Sequence, residues 1–187
     1  MSSVKRLRRL IQLSCLSAIA YLLTLAAVPI IPVAPFLKLD LSDLPVLISL
    51  WAFGMTGGLT VAAVKWLLHL VMMGISLPNL LGSLSSLMAS LILLSVWWLV
   101  WHVAHRHRYF WLNGIIWSTA GLVGGMALVN LALIPWYLEI MGMRLPFSLA
   151  KLILGAVLPF NLIKGAVVGW LFCLLSRRLS SSRWFLQ

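Results

Sequence analysis

Carboxylates are nearly missing from this chain: Asp40, Asp43 and Glu139 are the only three among 187 residues, against 14 lysines and arginines. All three fall in connecting stretches or at helix starts, so the intramembrane acids of a proton-coupled carrier are not in evidence. Nor do carboxylates or histidines cluster as a metal-dependent enzyme requires. No Gly-rich loop ending in Lys-Ser/Thr is present, so any ATP hydrolysis must belong to another chain. A six-span serine protease is excluded for want of a Gly-x-Ser-Gly segment; Gly82-Ser83 reads as small residues in a packed helix. Cysteine is scarce, and Cys15 and Cys173 lie inside apolar runs without disulfide or metal spacing. An internal repeat, frequent in self-sufficient secondary carriers, is not visible.

Apolar residues fill the space the charges leave. They make up 63% of the chain, charged residues only 9%, and the mean hydropathy is +1.08. A soluble domain of this length could not bury so much apolar surface. Lipid admits only helices or closed barrels, and long runs without alternation are helical. The expected fold is therefore an all-α integral membrane protein, a single domain over 1–187, built as a bundle of six transmembrane helices. The spans are expected over 10–31, 44–57, 58–74, 79–103, 110–134 and 148–176. The second is the shortest: its apolar run, Leu44 to Phe53, covers about half of a roughly 30 Å hydrocarbon core. Either it continues through the turn at Gly54, Gly57 and Gly58, or that turn is sheltered by protein. Pro29, Pro32 and Pro35 are expected to end the first span, Ser42 or Asp43 to cap the second, and Pro135 to close the fifth.

The net charge of +11 points to a membrane surface rather than nucleic acid, because the basic residues flank the apolar runs. Lys5, Arg6, Arg8 and Arg9 precede the first, Arg106 and Arg108 interrupt the middle, and Arg177, Arg178 and Arg183 follow the last. By the positive-inside rule these stretches, and with them both termini, are cytoplasmic. They also lie against anionic lipid headgroups. The first apolar segment is too long for a signal peptide and ends without a small-residue cleavage site. His102, His105 and His107 belong with the basic loop rather than with a metal. Trp97, Trp98, Trp101, Trp111, Trp136 and Trp184 are expected in the interfacial belt, while Trp51, Trp66, Trp117 and Trp170 read first as packing residues.

Polar side chains inside apolar runs carry the functional signal. Lys164 precedes Arg177 by thirteen residues, roughly 20 Å of helix, too far to snorkel to that interface. An ammonium at such depth costs on the order of 3 kcal/mol or more unless it faces a partner or a cavity. Asn161 shares its helical face, and Pro159 removes a backbone bond just before. The group reads as a ligand site or, more blandly, as an interhelical hydrogen bond with a kink. Asn130 is equally a ligand donor or interhelical glue. Lys65 and His69, four apart, lean towards packing and partner contacts.

Read in order, Pro35-Phe36-Leu37-Lys38-Leu39-Asp40-Leu41-Ser42-Asp43-Leu44-Pro45, Lys65-Trp66-Leu67-Leu68-His69, Asn130 ahead of Pro135, and Pro159-Phe160-Asn161-Leu162-Ile163-Lys164 resemble the riboflavin-specific S-components of energy-coupling factor transporters. The resemblance implies a six-helix membrane subunit, not an enzyme, that binds riboflavin from outside and docks on a transmembrane coupling subunit with two ATP-binding cassette ATPases. It further implies a lid over Pro32 to Asp43, which brings Leu37, Lys38 and Asp40 to the ligand, and polar contacts from Asn130, Asn161 and Lys164. Where the family often has an acidic residue and an Asn at the turn into the fourth helix, this chain reads Gly74-Ile75-Ser76-Leu77-Pro78-Asn79, and Asn79 is the candidate there. Small residues Ser14 and Ala18 on the first helix would meet the coupling subunit. An S-component for another vitamin is the alternative reading, a secondary carrier a weaker one.

Overall fold

The computed structural model describes residues 3–31, 37–104, 109–142 and 148–180. Part of the expected lid (Pro32, Pro35, Phe36), the basic loop His105–Arg108, Arg144, Arg183 and Trp184 lie outside the described residues. Helix α1 spans Ser3–Leu25, α2 Asp43–Met73, α3 Leu77–Ala104 and α4 Phe110–Met141. A short α5 (Leu149–Leu152) runs through a π-helical turn (Ile153–Val157) into α6 (Leu158–Ser180). Two-residue strands β1 (Val28–Pro29) and β2 (Lys38–Leu39) pair antiparallel after α1, with Val28 opposite Leu39.

Among the described residues five helices, not six, are long and apolar enough to cross a membrane. The difference arises at 44–57 and 58–74, which form one helical run in which Gly54 alone leaves helical geometry, at φ 76° and ψ −173°. That backbone region is essentially closed to residues with a Cβ. The consequence is large. Lys65 Nζ stands 3.1 Å from Asp43 Oδ1, whereas residues 22 positions apart on a straight helix are separated by roughly 33 Å. The run therefore turns back on itself at Gly54 and presents two arms, 43–53 and 55–73, side by side.

Prolines act differently from the expectation. Helix α1 ends at Leu25, four residues before Pro29, whose fixed φ and missing N–H suit the β1 ribbon instead. Pro135, expected to close the fifth span, sits inside α4, which loses one internal bond there but runs on until Gly142 turns left-handed at φ 61°. Pro159 falls at the second position of α6, directly after the π turn, where the Leu158 N–H already bonds back to the Ile153 carbonyl. A widened turn leaves one carbonyl without its usual donor, so the N–H that proline lacks is not missed.

Helix α1 packs on α2, α2 on α3, α3 on α4 and α4 on α6, with α6 also reaching α2. Trp97 is not part of an interfacial belt. It is 1% exposed and sits edge-on to Phe172 at 4.8 Å between centroids, with Phe110 and Trp111 around it. Gly114 makes room for it: a Cβ there would lie 2.3 Å from the Trp97 ring. Trp98, Trp101, Trp117, Trp136 and Trp170 are exposed along the helices, as lipid-facing aromatics would be. A second cluster closes the opposite end, where Leu37 packs with Leu152, Ile153, Ala156, Val157 and Phe160.

Candidate functional site

Two lysines buried in an apolar bundle must each find a counter-charge. Only two of the chain's carboxylates are buried, Asp40 and Asp43, and both are used. Asp40 follows β2, and Asp43 opens α2; Lys65 comes from the returning arm of α2 and Lys164 from α6. Lys164 Nζ lies 2.9 Å from Asp43 Oδ2 and 3.3 Å from Asp40 Oδ2. The contact with Asp43 is an ion pair by distance, without the direction of a hydrogen bond; Lys164 does donate to Asp40. On the other side of Asp43, Lys65 donates to Oδ1 at 3.1 Å, to Ser42 Oγ at 3.0 Å and to Ser90 Oγ at 2.8 Å. The Ser90 hydroxyl donates to Asp43 Oδ1 at 2.5 Å. Asp40 is in turn held by the Ser42 N–H at 2.9 Å and by the Ser42 hydroxyl. The result is a ladder of alternating charge, Asp40, Lys164, Asp43, Lys65, that joins the segment before α2, both arms of α2, α3 and α6.

Beside the ladder, on the face of α6 shared with Lys164, stands Asn161, 1% exposed. Its amide donates to the Val157 carbonyl at 2.8 Å, while its Oδ1 is buried without a hydrogen-bond partner. A buried acceptor left in that condition is costly unless a ligand supplies the donor. Asn130 on α4 is also buried and donates to the Met126 carbonyl at 2.7 Å. Leu37 is buried at the same end, while Lys38 is exposed on β2. The arrangement offers an apolar wall, an unspent amide oxygen and a buried ammonium, which is the composition of a small-molecule site rather than of a catalytic centre. Among the described residues no three His, Cys, Asp or Glu come together to hold a metal.

The family described as "ECF transporter, substrate-specific component" matches this chain over residues 8–176. The chain belongs to that family. A Staphylococcus aureus protein named "Riboflavin transporter RibU" is 32% identical over 148 residues, covering 78% of this chain and 76% of its own. "Riboflavin transporter FmnP" of Bacillus subtilis is 25% identical over 148 residues, covering 77% of each chain. A solved structure titled "Structure and mechanism of the S component of a bacterial ECF transporter" superposes with a TM-score of 0.78 at 32% identity, covering 94% of this chain and 97% of that one.

As an S-component the chain is a multi-pass membrane transport subunit and not an enzyme. Among its sequence-expected site residues, the fold gathers Leu37, Asp40, Asn161 and Lys164 at one end. Asn79 is engaged elsewhere: its amide donates to the carbonyls of Met73 at 2.9 Å and Gly74 at 3.4 Å, closing the turn from α2 to α3. Ser14 and Ala18 are exposed on α1, opposite buried Leu13, Ser17 and Ala20.

Two members of the ladder, and the serine that braces it, were not expected there. Ser42, read as a helix cap, makes no side-chain cap bond and turns to Asp40 and Lys65. Asp43, read as a capping acid, is 0% exposed and bridges the two lysines. Lys65, read as a packing or partner residue, packs in the bundle interior and there joins Asp43, Ser42 and Ser90. Charge counting holds the signal that finds them: with two lysines inside apolar runs and three carboxylates in the whole chain, the pairing has few solutions.

Proposed function

We propose that this S-component captures riboflavin at the outer face of a bacterial plasma membrane and delivers it by docking on a transmembrane coupling subunit and two ATP-binding cassette ATPases. The observation that carries the cargo assignment is the likeness, over more than three quarters of the chain, to two proteins named as riboflavin transporters. Flavin chemistry supports it. The isoalloxazine ring is flat and apolar with an imide edge, and its N–H would satisfy the unpartnered Asn161 Oδ1 while a ring carbonyl accepts from Lys164. Asn130 serves the ribityl hydroxyls or the ring edge. Leu37, Lys38 and Asp40 belong to the lid over the ligand, and Asn79, in the first turn of α3 with its amide already spent on the turn before it, offers the rim only its side-chain carbonyl.

Counting the two arms of α2 separately, the topology is six membrane segments with both termini cytoplasmic, since the basic stretches at Lys5–Arg9 and Arg177–Arg178 then share one side. The lid end then faces outward. The partners are riboflavin, the coupling subunit, the ATPases and the lipid bilayer; nucleic acid is not among them.

The test is a fluorescence titration of the purified protein. Riboflavin emission should be quenched with a one-to-one end point. Tight binding of thiamine or pantothenate in place of riboflavin would keep the transporter class and change the cargo.

A further inference from the structure

The ladder extends beyond any group expected to touch a ligand. Asp43 is completely buried, and its two oxygens face opposite ways: Oδ2 towards Lys164 at 2.9 Å, Oδ1 towards Lys65 at 3.1 Å and the Ser90 hydroxyl at 2.5 Å. A lysine side chain has four rotatable carbons and a compact charge, so its ammonium goes wherever the strongest counter-charge holds it. Here Asp43 is that anchor. A carboxylate gripped on one oxygen from two separate elements, the returning arm of α2 and α3, cannot swing to follow Lys164.

Lys65 also matters through charge. Two acids and two lysines sum to neutrality, and each interior charge is shared between two opposite neighbours. Lys65 takes up much of the Asp43 charge, so Asp43 can hold Lys164 in place without adding its full charge to that of Asp40. Without Lys65, Asp43 and Asp40 together would over-neutralise Lys164.

We propose that Asp43, backed by Lys65 and Ser90, is a positioning residue that fixes where the Lys164 ammonium meets the ligand. The ligand arm of the test rests on the riboflavin reading above; a second arm does not. Asp43→Asn alone would strand Lys65 and endanger folding, since breaking one partner of a buried pair is strongly destabilising. The charge-neutral pair Asp43→Asn with Lys65→Met is the primary variant, and Ser90→Ala is a milder one that keeps every charge.

In riboflavin titrations of the full-length protein the neutral pair should bind about tenfold more weakly than wild type, a change of 1.4 kcal/mol, with Ser90→Ala between them. Placed in a Lys164→Ala background, the neutral pair should change affinity little further, because a residue acting through Lys164 has no effect once Lys164 is gone. A purely structural role would give the same loss in both backgrounds. Independently of any ligand, labelling of amines with acetic anhydride, read by mass spectrometry, should modify Lys164 several-fold faster in the neutral pair, with exposed Lys38 as the unchanged control. Wild-type affinity in both variants, full additivity with Lys164→Ala, or unchanged Lys164 labelling would overturn the proposal. If the wild type ignored riboflavin, the cargo reading would fall and the labelling would still decide the role of Asp43.

Discussion

Lys164 and Asn161 lie one turn apart on α6, yet they are satisfied in different ways, and their substitutions should differ accordingly. Asn161 spends its amide on its own helix and leaves Oδ1 without a partner. On the proposed reading of the site, truncation to Ala removes a ligand contact and little internal bonding. Asn161→Ala should weaken riboflavin binding by roughly 1 to 3 kcal/mol, the range for a buried hydrogen bond lost at one partner, with little change in the melting temperature of the unliganded protein. Lys164 holds two aspartates. Lys164→Ala should cost a similar amount of affinity and in addition destabilise the unliganded protein by about 3 to 5 kcal/mol, because Asp40 loses its ammonium and Asp43 keeps Lys65 alone. Thermal melts alongside the titrations separate the two cases. A wild-type melting temperature for Lys164→Ala would mean that its ion pairs contribute nothing to stability.

At the scale of elements, the decisive feature is a single glycine. The arms of α2 can lie side by side only because Gly54 adopts φ 76°. Space is not the constraint there, as a Cβ would meet nothing within 4 Å; the backbone conformation is. Gly54→Ala should therefore lower stability by about 1 to 3 kcal/mol through strain alone, and should loosen the approach of Lys65 to Asp43. Gly114 poses the opposite problem. Its backbone is ordinary, but the site of its Cβ is filled by the Trp97 ring, which is itself packed edge-on against Phe172. Gly114→Ala should destabilise by about 1 to 3 kcal/mol through overpacking, and Trp97→Leu in the same chain should recover part of it. Melting temperatures of the single and double variants check both arguments. Prolines show the same division between local and distant causes: Pro29 lies in a ribbon beyond the end of α1, whereas Pro135 does not end α4, which keeps its neighbours on either side of the lost bond.

For the whole molecule, α1 is the exposed element. It packs on α2 alone among the strongly contacting pairs and turns Leu7, Leu10, Ile11, Leu22 and Leu25 outward. Ser14 and Ala18 lie in the middle of that outward side, where small side chains let a partner helix approach closely. We expect Ser14→Leu with Ala18→Leu to leave riboflavin binding by the purified protein intact and to abolish uptake and co-purification with the coupling subunit. Wild-type uptake and complex recovery would place the docking surface on another face.

Membrane insertion, helical class and approximate span positions were legible from the residues because they depend on quantities that add along the chain: apolar length, flanking charge and the scarcity of acids. The buried lysine at 164 was legible for the same reason, since its distance from the nearest basic flank is a count of residues. What no local pattern carries is which distant groups meet. Asp40 and Lys164 are 124 positions apart, and whether Asp43 caps a helix or bridges two lysines depends on a reversal at Gly54 that brings Lys65 back beside it. Three neighbouring glycines mark a turn, but only packing selects the one that leaves helical geometry. The tertiary structure decides these points because an ion pair in an apolar interior is settled by which opposite charge the fold brings within about 4 Å, and not by the residues next to it in the chain.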